Sequence, residues 1–149
     1  MTKFKYTIIK KDNKEFAKIC KYCDKSILER EGEDKGPVYE SDIVILSMNN
    51  TLPIGFSSIV DLDDTYFIQQ LAVKKEYRGN GVGIDLISKS IELASKAEKG
   101  LSMSTYGPNC PLNNMLESQG FELESTNGEY LYTHKQNQVR MWLYGTNSC

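Results

Sequence analysis

The chain has 149 residues, 40% hydrophobic and 26% charged, with a formal net charge of −2. That size and balance fit one globular domain, residues 1–149, whose core needs neither disulfides nor metal, and they exclude a broadly cationic nucleic-acid-binding face. No apolar run is long enough to span a membrane and Met1–Lys5 lacks the apolar core of a signal peptide, so no membrane partner is expected and the cytoplasm is the expected location.

Phe4 to Lys10 reads as a first strand. Asp12 or Asn13 can cap a helix running to about Leu28, with Phe16, Ile19 and Ile27 on its buried face. Cys20 and Cys23 have redox-motif spacing but share that face, so they read as structural thiols; no second Cys/His pair is present to complete a zinc site, and no metal is expected. The charged stretch from Glu29 to Gly36 reads as a mobile loop. Ile43 to Met48, Ile54 to Val60 and Tyr66 to Val73 then follow as an antiparallel meander, joined by turns at Asn49-Asn50 and Asp61 to Asp64.

After Val73 the pattern changes. A glycine-rich turn, Arg78-Gly79-Asn80-Gly81-Val82-Gly83, leads into a helix with Leu86, Ile87, Ser90, Ile91, Ala94 and Ala97 on one face, and Gly100 reads as its C-cap. Leu101 to Tyr106 is a strand, expected parallel to Tyr66–Val73 because a helical crossover links them. A short helix from Leu112 to Ser118, closed by Gly120, and two late strands, Phe121 to Glu124 and Tyr130 to Thr133, complete an α+β order with a mixed sheet.

Three glycines between a strand and a helix leave backbone N–H groups open to an anion at the positive end of a helix dipole, although a plain connection also uses glycine. A Walker-type loop would need Gly-Lys-Ser/Thr, which is absent. A dinucleotide fingerprint would need a small residue at Ile84 and an acid at Tyr106. The pattern Arg/Gln-x-x-Gly-x-Gly/Ala is met at every fixed position.

With Leu71-Ala72-Val73 and Glu76-Tyr77 before the turn, and Asn109 and Gly120-Phe121 after it, the segment from Tyr66 to Leu123 resembles the GNAT superfamily of acetyl-CoA-dependent N-acyltransferases. The resemblance implies a single GNAT-like domain with a mixed, mostly antiparallel sheet splayed between its fourth and fifth strands. It implies transfer of an acetyl group from acetyl-CoA to a primary amine of a small molecule or peptide, directly in a ternary complex. The amides of Arg78, Gly79, Asn80, Gly81, Val82 and Gly83 would hold the pyrophosphate. Leu71, Ala72 and Val73 would pair with the pantetheine arm, and Asn109 would hydrogen-bond it. An amide near Leu71 would polarise the thioester carbonyl. The family also suggests a homodimer.

The chain departs from the family pattern where Leu116 replaces a tyrosine acid and where Gln69 and Gln70 replace a glutamate base. Tyr106 is the candidate acid in its stead; a packed aromatic is the bland alternative. His134, the sole histidine, is a candidate base set against a packing role, and Glu29, Glu31, Glu33 and Asp34 are candidate attractors for a cationic amine or a solvated loop. Cys110 is the thiol to test for a covalent route. The competing readings are a CoA-binding module that has lost catalysis and a dinucleotide-binding domain.

Overall fold

The computed structural model describes residues 4–32, 36–105, 109–125 and 130–134. Period-two alternation and β-branched residues place seven strands in one sheet: β1 (Lys5–Lys10), β2 (Ile43–Asn49), β3 (Leu52–Asp61), β4 (Thr65–Val73), β5 (Gly100–Thr105), β6 (Glu122–Ser125) and β7 (Tyr130–His134). Their spatial order is β1-β2-β3-β4-β5-β7-β6, with β4 and β5 parallel and every other pair antiparallel. The meander and the parallel crossover are as the sequence implies. At the β2–β3 turn Asn50 takes φ +57°, the left-handed conformation that asparagine tolerates.

Helix α2 (Val82–Lys96) is the crossover and covers one face of the sheet. Its buried residues Val82, Leu86, Ile87, Ser90 and Ala94 recur at helical spacing and meet Ile45, Ile59, Ile68, Leu101 and Met103. Ser90 is tolerated there because its hydroxyl donates to Leu86 O at 2.8 Å and lies 2.9 Å from the Ser57 hydroxyl. The helix ends differently from the expectation. Glu98, at φ +57°, takes the left-handed position, and Gly100 is the first residue of β5. Helix α3 (Leu112–Ser118) adds Leu116 to the same core.

The other face is covered by α1 (Phe16–Tyr22), which continues into a π-helical turn, Cys23–Ile27. The helical stretch thus ends close to Leu28 but is α-helical only through Tyr22. Its start is an Asx turn, since Asn13 Oδ1 accepts the Glu15 N–H at 2.8 Å, rather than a side-chain cap on α1 itself. Cys20 and Cys23 are buried free thiols against Val38, Val44, Leu46 and Phe56, the structural role expected of them.

The π-helical turn buries Asp24 completely. Its carboxylate takes Arg30 Nε at 2.8 Å, so the charged loop is fixed at Arg30 instead of being free there. Gly36 closes over this pair: a Cβ on it would overlap the Asp24 carboxylate and lie 2.7 Å from Arg30 Nε. Gly36→Ala is therefore expected to cost about 2–3 kcal/mol and lower Tm by roughly 5–10 °C in a circular-dichroism melt; an unchanged Tm would show that the pair is not fixed.

Candidate functional site at the parting of β4 and β5

The parallel ladder runs Thr65↔Gly100, Tyr66↔Leu101, Phe67↔Ser102, Ile68↔Met103, and stops there although both strands continue. The cause lies on the other edge of β4. β3 pairs Ile59 with Ile68 and Ser58 with Gln70, so Gln69 is an extra residue, a bulge that bends β4 away from β5. Beyond it β4 stays paired to β3 through Gly55↔Val73, while on its β5 side residues 69 to 73 have no ladder partner among the described residues. Leu71, Ala72 and Val73 lie along this open edge and are half-buried.

The chain leaves β4 through the single turn Lys75–Tyr77 into the glycine turn. Tyr77 anchors it: its hydroxyl accepts Asn49 Nδ2 at 3.0 Å and its ring meets Phe4 edge-on. Arg78 Nε donates to Val73 O at 3.1 Å, so this side chain ties the turn to the end of β4. Asn80 Nδ2 donates back to Tyr77 O. Gly79 and Gly81 sit at φ +85° and +79°, where L side chains are strained, and a Cβ on either would meet nothing within 4 Å.

Gly81 is the N-cap of α2 and supplies no side-chain cap. The first helical bond is Asp85 N–H to Gly81 O, and no backbone acceptor among the described residues takes the N–H groups from residue 79 to residue 84. A run of unpaired amides at the positive end of a fifteen-residue helix faces an open approach. Val82 is buried instead of exposed to this approach: it packs under Gly55, where a Cβ would lie 3.2 Å from Val82 Cγ1 and 3.1 Å from Ala72 O. Gly83 admits Met115 of α3, whose Cε would lie 3.2 Å from a Cβ there.

Met115 and Asn113 are site neighbours that sequence reasoning missed. Asn113 is buried, and its Oδ1 accepts the Thr105 hydroxyl at 2.5 Å, joining α3 to the end of β5. Neither falls in a recognisable motif. Asn109 is exposed before α3. Tyr106, the candidate acid, lies outside the described residues, as do Glu33 and Asp34. Leu116 is fully buried, so that position serves packing. Gln69 Oε1 is buried without a partner among the described residues, and Gln70 is half-buried.

Two other candidate groups have different surroundings from those expected of a base or nucleophile. Cys110 is buried and engaged in a disulfide. His134 packs edge-on against Phe121 with ring centroids 5.2 Å apart, and its Nδ1 is buried without a partner among the described residues. Burial lowers its pKa against a smaller opposing hydrogen bond at the Gln119 backbone.

Comparison with known proteins agrees with this geometry. A family model described as the acetyltransferase (GNAT) family matches residues 11–121. The chain belongs to the GNAT acetyltransferase family. Among solved structures it is similar to the ribosomal-protein-S18-alanine N-acetyltransferase from Escherichia coli, with 15% identity, 94% of this chain and 99% of that one covered and a TM-score of 0.71. It is also similar to a GNAT family acetyltransferase from Elizabethkingia anophelis with acetyl-CoA bound, with 16% identity, coverages of 87% and 97% and a TM-score of 0.60. A third is the PaiA N-acetyltransferase from Thermoplasma acidophilum in complex with coenzyme A, with 15% identity and a TM-score of 0.56; there the match covers 61% of this chain and 58% of that one. At these identities the likeness shows the shared fold. No protein of curated function matches the chain significantly by sequence.

His134 makes a pH prediction. With a folded pKa below the unfolded value of about 6.5, its neutral form is favoured by the fold; that contribution is full above the unfolded value and is lost as pH falls through the folded pKa. Urea melts from about pH 7 down to about pH 5 are expected to lose less stability in His134→Gln than in the parent chain; parallel curves would exclude His134 as the group responsible.

Proposed function

We propose that the protein transfers an acetyl group from acetyl-CoA to a primary amine of a small molecule or peptide, directly in a ternary complex. The observation that carries this reading is the parting of β4 from β5 beside the unpaired amides of the glycine turn. One is a free strand edge for an extended amide-bearing arm. The other is an anion site for a pyrophosphate. Coenzyme A carries those two groups on one molecule, as a nucleoside triphosphate does not. The solved relatives with coenzyme A or acetyl-CoA bound support the same donor.

On this reading the amides of Gly79, Asn80, Gly81, Val82 and Gly83 hold the pyrophosphate, and Gly79 and Gly81 keep its approach clear. Arg78 holds the turn to Val73 through Nε and leaves its terminal nitrogens for a charged contact. Leu71, Ala72 and Val73 offer their open edge to the pantetheine arm, with Asn109 as a further hydrogen-bonding group, and an amide near Leu71 stabilises the carbonyl oxygen as charge develops. Acetyl-CoA supplies the activated thioester.

The acceptor amine must be neutral to attack, and an alkylamine with pKa near 10.4 is mostly protonated at neutral pH. Gln69 and Gln70 carry no basic group, so their role is to orient water that takes the proton; Tyr106 remains the proposed acid for the leaving thiolate. Direct transfer is supported by the thiols. Burial pushes Cys20 up to about 11 and Cys23 higher still, and Cys110 is in a disulfide, so the described residues offer no activated thiolate for an acyl-enzyme. The absent carboxylate and tyrosine favour one other reading, a CoA-binding module without catalysis.

Thiol release from acetyl-CoA with a panel of amines separates the two: turnover supports the enzyme, whereas tight coenzyme A binding with no turnover supports the module. Gly81→Val is expected to weaken coenzyme A binding about tenfold or more, by straining the left-handed turn and filling the approach to the amides. Equal affinity in calorimetry, with the fold intact, would remove the turn from the donor site. Tyr106→Phe is expected to lower kcat by about 10²-fold or more with little change in the KM for acetyl-CoA; an unchanged kcat would rule it out as the acid.

A further inference from the structure

The end of β4 remote from the glycine turn carries a second concave site. There the end of β1, the start of β2, the end of β3 and the start of β4 lie side by side. A cavity of about 400 Å³ opens across them, with Asp12, Asp42, Asp61, Asp63 and Tyr66 in its wall. The nine residues of β4, at about 3.3 Å each, put it roughly 27 Å from the glycine turn. Four neighbouring strands about 4.8 Å apart give it a width of roughly 14 Å.

Two of these carboxylates are engaged in the fold. Asp42 takes Lys11 Nζ and the Asp61 N–H, each at 2.7 Å. Asp61 takes Lys99 Nζ at 2.7 Å and the Asp63 N–H at 3.0 Å. The side chains of Asp12 and Asp63 make no hydrogen bond or ion pair among the described residues. Lys10 and Lys11 also line the cavity and Lys99 stands behind it, so the carboxylates remain in excess.

Tyr66 is the second, independent feature. It is only 8% exposed, with its ring in the main core and Lys99 Nζ 5.1 Å from the ring centroid. Its hydroxyl makes no hydrogen bond with a described residue. Burial, then the nearby Asp61 carboxylate, raises its pKa, so the hydroxyl stays protonated and can both donate and accept. The hydroxyl is not fully enclosed, so a ligand in the cavity can reach it. The described residues contain no group of His, Cys, Asp and Glu arranged to hold a metal ion, which favours an organic ligand.

We propose that this cavity binds a small organic cation bearing primary ammonium groups, with Asp12 and Asp63 as charge partners and the Tyr66 hydroxyl as a further acceptor. The site is independent of the donor site and of the acetyl-transfer reading.

The probe is 1,4-diaminobutane, titrated calorimetrically without acetyl-CoA against the full chain. Asp63→Asn suits the test because asparagine tolerates the φ of +71° at that position. The double variant Asp12→Asn, Asp63→Asn is expected to bind about tenfold or more weakly, and Tyr66→Phe several-fold more weakly, with melting temperatures near that of the parent. Gly81→Val, at the other end of the sheet, should leave the affinity unchanged. Absence of binding to the parent chain, or equal affinity in both cavity variants, would overturn the proposal; the second result would place the diamine elsewhere, the acceptor face included.

Discussion

One extra residue in β4 organises the candidate donor site. Gln69 interrupts the β3–β4 ladder, β4 bends, and its partnership with β5 ends after Ile68. A parallel strand pair buried in the middle of a sheet would normally continue to pair, because each unpaired N–H and C=O costs free energy when it is cut off from water. Here the bend leaves a row of backbone groups on β4 without a ladder partner among the described residues, and an extended amide chain is the natural complement for such an edge.

The rest of the fold holds that gap open. Below it, Ile68 and Met103 still face α2 through the common core. Beside it, Val82 packs under Gly55 and fixes the start of α2 close to the last residues of β4. Arg78 and Tyr77 tie the glycine turn back to β4 and to the β2–β3 hairpin. On the far side, Asn113 joins α3 to the end of β5 through Thr105. The unpaired amides and the free strand edge therefore belong to one rigid frame. Rigidity matters for acyl transfer, since donors fixed in advance stabilise developing charge without reorganising.

The two ends of β4 have opposite electrostatic character. The glycine turn presents backbone N–H groups and a helix dipole, which suit an anion. The opposite end gathers carboxylates whose lysine partners do not fully neutralise them, which suits a cation. The carboxylates there also brace the sheet, because Asp42 and Asp61 link β1, β2, β3 and the end of the α2 crossover. A protein with so small a net charge can thus hold two locally opposed fields.

Much of this was legible in the sequence. The strand and helix order follows from hydrophobic period, the glycine turn from its spacing, and the buried thiols from their helical phase with Phe16 and Ile27. These are local properties, carried by residues near one another in the chain. The π-helical turn, Glu98 replacing Gly100 at the helix end, the Asp24–Arg30 pair under Gly36 and the role of Met115 beside Gly83 were not legible. Each depends on a partner brought in from elsewhere. The bulge is the clearest case. Nothing in Gln69-Gln70 marks an extra residue, because a bulge is a mismatch between two strands and exists only once β3 is paired with β4. The sequence by itself determined that a glycine-rich turn with the spacing of an anion-binding loop stands between a strand and a helix. Tertiary pairing decided that an open strand edge stands next to it, because register belongs to the pair of strands and to neither alone.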